Sequence, residues 1–188
     1  MRSAAARAAA RGFSGVPSRA FAPYPRGAVA AAVCRTDGAE RQYLLVRRSK
    51  PPREGSWALP GGALNLGEAV LVGASRELEE ETGLTAASLR WHPVPITAAD
   101  GIFFAGDRDA PVAEDGVARP EFHYLIAHCF AWHDPVEETA QAADDASELR
   151  WLTTAALARE ARGEGLWFAR SVTGVVRTAE RLIDAGLL

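Results

Sequence analysis

The sequence contains few cysteines and lacks a long uninterrupted apolar run. Its 188 residues include two cysteines, Cys34 and Cys129, and each lies within a short apolar stretch. Two cysteines placed in this way make neither a disulfide framework nor a metal-site spacing, so we expect both to be buried thiols. Charged or polar residues interrupt every apolar stretch before it reaches the roughly twenty residues that a transmembrane helix needs. The sequence therefore predicts no membrane span.

A strong excess of charge of one sign is also missing. The formal net charge is -3 at pH 7, with 21 basic against 24 acidic residues. A charge this small does not favour nucleic acid or a membrane surface as a partner. We therefore expect any anionic ligand to be held by a local group of residues.

Acidic residues are absent from the first 35 positions. This segment instead carries, in a background rich in alanine and serine, the basic residues Arg2, Arg7, Arg11 and Arg19. The composition is typical of an organellar transit peptide, and Arg-Gly-Phe-Ser at residues 11–14 resembles a mitochondrial processing site. We expect residues 1–22 to be a transit peptide or a disordered leader, and residues 23–188 to form one domain. The expected location is the mitochondrion, with the plastid or the cytoplasm as alternatives.

Hydrophobic patterns and turn signals predict strands interleaved with helices. The predicted strands are residues 26–35, 42–47, 57–60, 89–94, 122–132 and 148–152. The predicted helices are residues 68–82, 154–159 and 168–182. Residues 98–120 and 134–147 are predicted to be long loops. Because strands and helices do not alternate regularly, a mixed sheet between helices is favoured over a doubly wound parallel sheet.

The predicted helix 68–82 carries a cluster of carboxylates. Glu77 lies three residues before Glu80 and four before Glu81, so these side chains share one helix face. Such like charges repel, and a hard divalent cation such as Mg²⁺, which prefers oxygen ligands, offsets the repulsion. A solvated acidic face is the alternative. Gly62, just before the helix, favours the metal site because it permits a close backbone approach.

Residues 62–84 match every specified position of the Nudix box, and on this motif the sequence resembles the Nudix hydrolases. The matching residues are Gly62, Glu68, Arg76, Glu77, Glu80, Glu81 and Gly83. Residues 50–62, 123–124 and 147–157 are similar to the ADP-ribose pyrophosphatase-like branch. ADP-ribose-specific members tend to carry a proline about sixteen residues beyond the box. Residue 100 is an aspartate, so the substrate stays open.

The resemblance implies the Nudix fold, an α/β (α+β) arrangement of a mixed β-sheet between α-helices, with a loop-helix-loop catalytic motif. It implies Mg²⁺, or Mn²⁺ as an alternative, bound by Gly62, Glu77, Glu80 and Glu81. Glu68 and Arg76 would support these ligands, and Arg76, Glu77 and Glu81 would be the catalytic residues. The implied reaction is the attack of a metal-activated water on a nucleoside diphosphate linked to another moiety. ADP-ribose or a related nucleotide sugar or dinucleotide would then give a nucleoside monophosphate and a phosphorylated product.

The general base and the substrate contacts stay open at this point. Carboxylates available as the base are Glu77, Glu81, Glu137, Glu138, Asp144 and Asp145. Residues available to bind the substrate are Arg47, Arg48, Lys50 and Arg53 for the phosphates, and Phe103 and Phe104 for the base. Trp57 and Tyr124 are further aromatic candidates, although strand aromatics usually belong to the core. The four histidines lack metal-ligand spacing and are expected to pack or to face solvent.

Two other functions are compatible with the same motif. One is a house-cleaning nucleoside triphosphate pyrophosphatase, which would release inorganic pyrophosphate. The other is a module that senses ADP-ribose or another nucleotide without cleaving it. In each case the expected partner is a small-molecule nucleotide, and the protein is expected to be a monomer or a homodimer.

Overall fold

A mixed β-sheet with helices on both faces forms the core of the chain. The computed structural model describes residues 24–50, 54–104, 120–134, 139–160 and 171–188. Within these ranges the strands are β1 (Arg26–Asp37), β2 (Glu40–Arg48), β3 (Trp57–Ala58), β4 (Leu89–Trp91), β5 (Thr97–Phe104), β6 (Pro120–His133) and β7 (Ala146–Thr153). The helices are α1 (Val70–Thr82), α2 (Thr154–Glu160) and α3 (Val172–Asp184). The predicted mixed architecture is confirmed.

Strand β1 lies at the centre of the sheet. It pairs antiparallel with β2, with Cys34 opposite Tyr43, and parallel with β6, with Ala31 opposite Cys129. Strand β2 also pairs with β3 and β7, and β6 also pairs with β4 and β5, all antiparallel. Parallel and antiparallel pairs therefore meet at β1, which places its two edges against different parts of the chain.

Alternate side chains of β1 face the two helical layers. Ala32 and Cys34 pack in one cluster with Val175 of α3, whereas Ala31 packs in another with Leu78 of α1. This follows from the strand repeat, which directs successive side chains to opposite faces. Because β1 is apolar on both faces, both layers can bury their helices against it. Among the described residues, no helix is long and apolar enough to cross a membrane.

Helix α1 buries the face that the sequence pattern predicts. Ala74 and Leu78 are buried and Val70 packs against the core. The helix begins at Val70, two residues later than predicted, because Glu68 belongs to the preceding turn, where its carboxylate accepts a backbone N–H. It ends as predicted at Gly83, whose φ of 71° is left-handed and whose N–H donates to a helix carbonyl.

The prediction of a loop over residues 98–120 is wrong at its start, where Thr97–Phe104 form β5. Asp100 and Gly101 in this segment disfavour a strand by local propensity, but pairing along β6 overrides that preference. Residues 105–119 lie outside the described part of the chain. The same holds for residues 1–22, so the predicted leader stays a prediction.

A buried polar group joins β2 to α3. The Tyr43 side chain is fully buried, and its hydroxyl donates to Glu180 Oε1 at 2.6 Å. Arg41 donates to Glu180 at 2.6 Å and to Asp184 at 2.7 Å. Burial, followed by the hydrogen bond to Glu180, raises the pKa of Tyr43, so the hydroxyl keeps its proton and remains a donor.

We expect Tyr43→Phe to lower the free energy of unfolding by about 1–3 kcal/mol, because it removes a buried hydrogen bond to a charged acceptor. Chemical denaturation measures this change. The matched control is Tyr24→Phe, at a tyrosine that is 64% exposed, for which the change should stay within about 0.5 kcal/mol. Equal losses in both variants would contradict the role of the Tyr43 hydroxyl.

Candidate active site

The Glu81 carboxylate is buried between α1 and the segment before it. The residue is 6% exposed, and its Oε2 accepts the Gly61 N–H at 3.0 Å. Burial raises the pKa of Glu81 to about 7, the Gly61 N–H opposes that rise, and the negative charge of Glu77 adds to it. A buried carboxylate of this kind can bind a cation or exchange a proton near neutral pH.

Close approach of the β1 backbone requires a glycine at position 61, and Gly62 lies against the Glu77 side chain. A Cβ atom on Gly61 would lie 2.2 Å from the Val29 carbonyl oxygen, and one on Gly62 would lie 2.4 Å from the Glu77 carboxylate. The φ of Gly61, 156°, is also one that other residues rarely adopt. The Gly62 carbonyl accepts the Val29 N–H at 2.9 Å, which leaves it a second lone pair for another partner.

Arg76 binds acidic groups of α1 and of the turn that precedes it. Its Nε and Nη2 bind both oxygens of Glu68, at 2.7 and 2.9 Å. Its Nη1 donates to Glu77 at 2.9 Å and to Glu80 at 3.0 Å. The hydrogen bonds from Arg76, followed by the Asn65 N–H, lower the pKa of Glu68 to about 2. Arg76 thus joins Glu68 of the preceding turn to Glu77 and Glu80 of the helix.

The acidic cluster suits a hard divalent cation in its chemistry. Glu77, Glu80 and Glu81 line one cavity of about 440 Å³, together with Gly62. Carboxylate and carbonyl oxygens are the ligands that Mg²⁺ prefers. Among the described residues, no three Asp, Glu, His or Cys side chains already stand in a ligand geometry. Arg76 binds one oxygen of Glu77 and one oxygen of Glu80, and each carboxylate keeps its second oxygen for a cation.

The predicted substrate residues divide between the two faces of β2. Arg48 and Lys50 line the cavity. Arg47 does not, and its guanidinium lies 3.6 Å from Glu148 on the other face. Successive strand residues point to opposite sides of a sheet, and this separates Arg47 from Arg48. Arg53 lies outside the described residues.

The two predicted aromatic contacts divide in the same way. Phe103 lines the cavity, where Tyr124 also lies, whereas its neighbour Phe104 does not. Phe103 further makes an edge contact with Phe122, with ring centroids 6.2 Å apart. Trp57 is 2% exposed and belongs to the core. Of the described aromatic side chains, Phe103 and Tyr124 therefore line the cavity together.

The loop before β7 brings two further carboxylates to the cavity. Asp144 and Asp145 line it, and Asp145 forms an ion pair with Lys50. The Ala143 N–H donates to the Glu81 carbonyl at 3.0 Å, which ties this loop to the end of α1. Glu137 and Glu138 lie outside the described residues. Four of the predicted general bases, Glu77, Glu81, Asp144 and Asp145, thus line the cavity.

His128 is a cavity residue that sequence reasoning assigned only to packing or to solvent. It lines the cavity from β6, is 1% exposed, and has a buried Nδ1 without a hydrogen-bond partner among the described residues. Burial lowers its pKa to about 4. The sequence predicted that His128 lies in a strand. It contains no local signal that this face of β6 lines the same cavity as Glu81.

Comparison with known proteins agrees with this geometry. The NUDIX domain model matches residues 24–173. An octanoyltransferase of Myxococcus xanthus is 48% identical over 66 residues, which are 35% of this chain and 18% of that protein. An ADP-ribose pyrophosphatase of Methanocaldococcus jannaschii is 34% identical over 70 residues, 37% of each chain. The chain thus spans less than two-fifths of the length of these curated relatives.

The fold is also similar to a solved structure, a binary complex of an Ap4A hydrolase from C. elegans. The TM-score is 0.62 with 17% sequence identity, over 85% of this chain and 98% of the other. At this identity the likeness shows a shared fold. It extends to nearly the whole of the other chain.

We expect Gly61→Ala to lower the free energy of unfolding by at least about 1 kcal/mol, because the new Cβ overlaps the β1 backbone. The matched control is Gly174→Ala, where a Cβ on α3 meets nothing within 4 Å. Here helix propensity should raise the stability by about 0.5–1 kcal/mol. Thermal and chemical denaturation measure both, and an unaffected Gly61→Ala protein would contradict the close packing.

Acid should destabilise the protein through His128. Its folded pKa of about 4 lies below its usual 6.5, so the unfolded state binds more protons between these pH values. This difference in proton binding contributes to the free energy of unfolding, and the full contribution is present above about pH 6.5. It decreases by on the order of 3 kcal/mol as the pH falls towards 4. His128→Leu should therefore lose less stability than the wild type between pH 7 and pH 4 in denaturant titrations. Equal losses would show that His128 does not remain neutral on folding.

Proposed function

The chain belongs to the NUDIX domain family, and from this premise we propose that it is a divalent-cation-dependent hydrolase. Its reaction would be the cleavage of a pyrophosphate linkage in a nucleoside diphosphate derivative. The observation that carries the proposal is the cavity, in which Glu77, Glu80 and Glu81 meet Arg48 and Lys50. Oxygen ligands for a cation and basic groups for phosphates thus share one site.

The charge of the cavity supports a requirement for metal. Among the described residues, five carboxylates, with Asp144 and Asp145 included, line it against the two cations Arg48 and Lys50. If all were ionised, an anionic diphosphate would enter a negative site and be repelled. A divalent cation bound by Glu77, Glu80, Glu81 and the Gly62 carbonyl would offset most of that negative charge and so reduce the repulsion.

The residues of the site take distinct roles in the proposed reaction. When bound, the cation lowers the pKa of a water ligand and neutralises charge that develops on the leaving phosphate. Arg76 and Glu68 position the ligand carboxylates, and Arg48 and Lys50 bind phosphate oxygens. A carboxylate of the cavity accepts the proton of the water as its oxygen attacks one phosphorus. The bridging oxygen leaves with the electrons of the broken P–O bond.

The substrate that we propose is ADP-ribose or a related nucleotide sugar or dinucleotide. The curated relative from Methanocaldococcus jannaschii is named an ADP-ribose pyrophosphatase. The cavity itself supports a nucleotide, because it joins the charged groups to the aromatic side chains Phe103 and Tyr124. Its volume of about 440 Å³ is in the usual range for a small-molecule site.

Removal of two ligand charges tests this proposal. We expect the double variant Glu80→Gln, Glu81→Gln to lose at least about a hundredfold in kcat/KM with Mg²⁺ and ADP-ribose, because the cation loses two of its carboxylate ligands. Glu79→Gln is the matched control, since Glu79 is an exposed carboxylate on the same helix. It should keep near-normal activity, and circular dichroism should show all variants folded.

The products separate the proposed reaction from its alternatives. AMP and ribose phosphate from ADP-ribose are the expected products, and chelation of the cation should stop their release. Full turnover by the folded double variant would contradict the proposed ligands. Release of inorganic pyrophosphate from nucleoside triphosphates alone would identify a triphosphate pyrophosphatase. A tightly bound ligand that survives long incubation with Mg²⁺ would identify a sensing module.

A further inference from the structure

Away from the acidic cluster, one face of β6 lines the cavity beside β1. Alternate residues Tyr124, Ile126 and His128 lie on this face, as the strand repeat requires. The parallel register places Ala28 beside Ile126 and Ala30 beside His128. The two alanine methyl groups leave space that larger side chains would occupy. This part of the cavity is therefore a recess with an apolar and aromatic wall.

His128 is the polar exception in this wall. Its side chain is almost wholly buried, and Nδ1 has no hydrogen-bond partner in the part of the chain that the structure describes. Because burial lowers its pKa to about 4, the imidazole is neutral at pH 7 and has one donor and one acceptor nitrogen. Buried polar groups of proteins are nearly always paired, since an unpaired one is unfavourable. The ring lines the cavity, so a bound ligand can supply the missing partner once the ring turns Nδ1 towards it.

The sheet itself does not require an imidazole at this position. The main chain of His128 makes the contacts that hold the sheet together. Its carbonyl accepts the Ile96 N–H at 2.8 Å, and the residue lies opposite Ala30 of β1 and Thr97 of β5 in the strand register. An aliphatic side chain of similar volume would fill the space without burying a polar atom. The imidazole is therefore better explained by a ligand than by packing.

We propose that His128 selects the nucleobase of the bound nucleotide through a hydrogen bond between its imidazole and the polar edge of the base. The inference rests on the proposed function in one respect, that the cavity accepts a nucleotide with its phosphates at the acidic cluster. Phe103 and Tyr124 then supply ring surfaces for the base. A base with a complementary edge pairs with His128, whereas a base without one leaves the imidazole unpaired, and this difference creates the selectivity.

Binding of nucleoside monophosphates in the presence of Mg²⁺ tests this selection separately from hydrolysis, because these nucleotides have no pyrophosphate linkage to cleave. The probes are AMP, GMP, CMP and UMP, and isothermal titration calorimetry measures their affinities. We expect the wild type to prefer one base, and His128→Leu to bind that nucleotide about tenfold or more weakly, with the other affinities much less changed. The control is His123→Leu, because His123 lies on the same strand but pairs with Asp100 and does not line the cavity. Its base preference should equal that of the wild type.

Stability provides a second readout that a purely structural histidine would not produce. At pH 7, His128→Leu should unfold at the same or a higher denaturant concentration than the wild type, because a buried unpaired polar atom is removed. If the leucine variant does not fold, the ring resonances of the wild type supply the test. There are four histidines to assign, and the preferred nucleotide should shift the nitrogen resonances of His128 more than the other nucleotides do.

An unchanged base preference in folded His128→Leu would overturn the inference. Equal His128 shifts with all four nucleotides would do the same. The failure of the proposed function is distinguishable, because a His128-dependent base preference without any hydrolysis would refute the hydrolase and leave the selection intact. Hydrolysis together with a base preference that does not depend on His128 would support the hydrolase and refute the selection by His128.

Discussion

The ion pair between Arg76 and Glu68 is the interaction on which the acidic site depends. It joins the turn before α1 to the helix, and it leaves the other Arg76 donors free to reach Glu77, Glu80 and the Ala63 carbonyl. A guanidinium can serve all of these acceptors because its five N–H groups are held in one plane, whereas a lysine ammonium cannot. One cation therefore positions several carboxylates that would otherwise repel each other.

Strand β1 connects this acidic end of the cavity to its apolar end. The backbone of Val29 lies against Gly61 and Gly62, and the Gly61 N–H reaches Glu81 on α1. The alanines of the opposite face of β1 form part of the recess beside β6. A strand with small apolar side chains on both faces thus brings a polar helix and an apolar wall close enough to share one ligand. Burial then gives Glu81 a raised and His128 a lowered pKa, since both environments disfavour a charged side chain.

The spacing of apolar residues along the chain predicted the helix α1. Val70, Ala74 and Leu78 are four residues apart, and the helix that this spacing predicts buries that face. Strand β5 was not predicted, because Asp100 and Gly101 disfavour strands and the partner strand β6 begins at Pro120. The terminus of the helix could be predicted from Gly83, whereas its start could not, because the position of Glu68 depends on Arg76.

The sequence by itself determined that Glu77, Glu80 and Glu81 share a helix face and that glycines precede them, because helical spacing and backbone freedom are short-range properties. Only the tertiary structure decided which other groups join them. It turned Arg48 rather than Arg47 towards the cavity and buried His128 in its wall. Both outcomes depend on strand pairing and on burial between segments that lie far apart in the chain, and a one-residue shift in that pairing would reverse which side chains face the cavity.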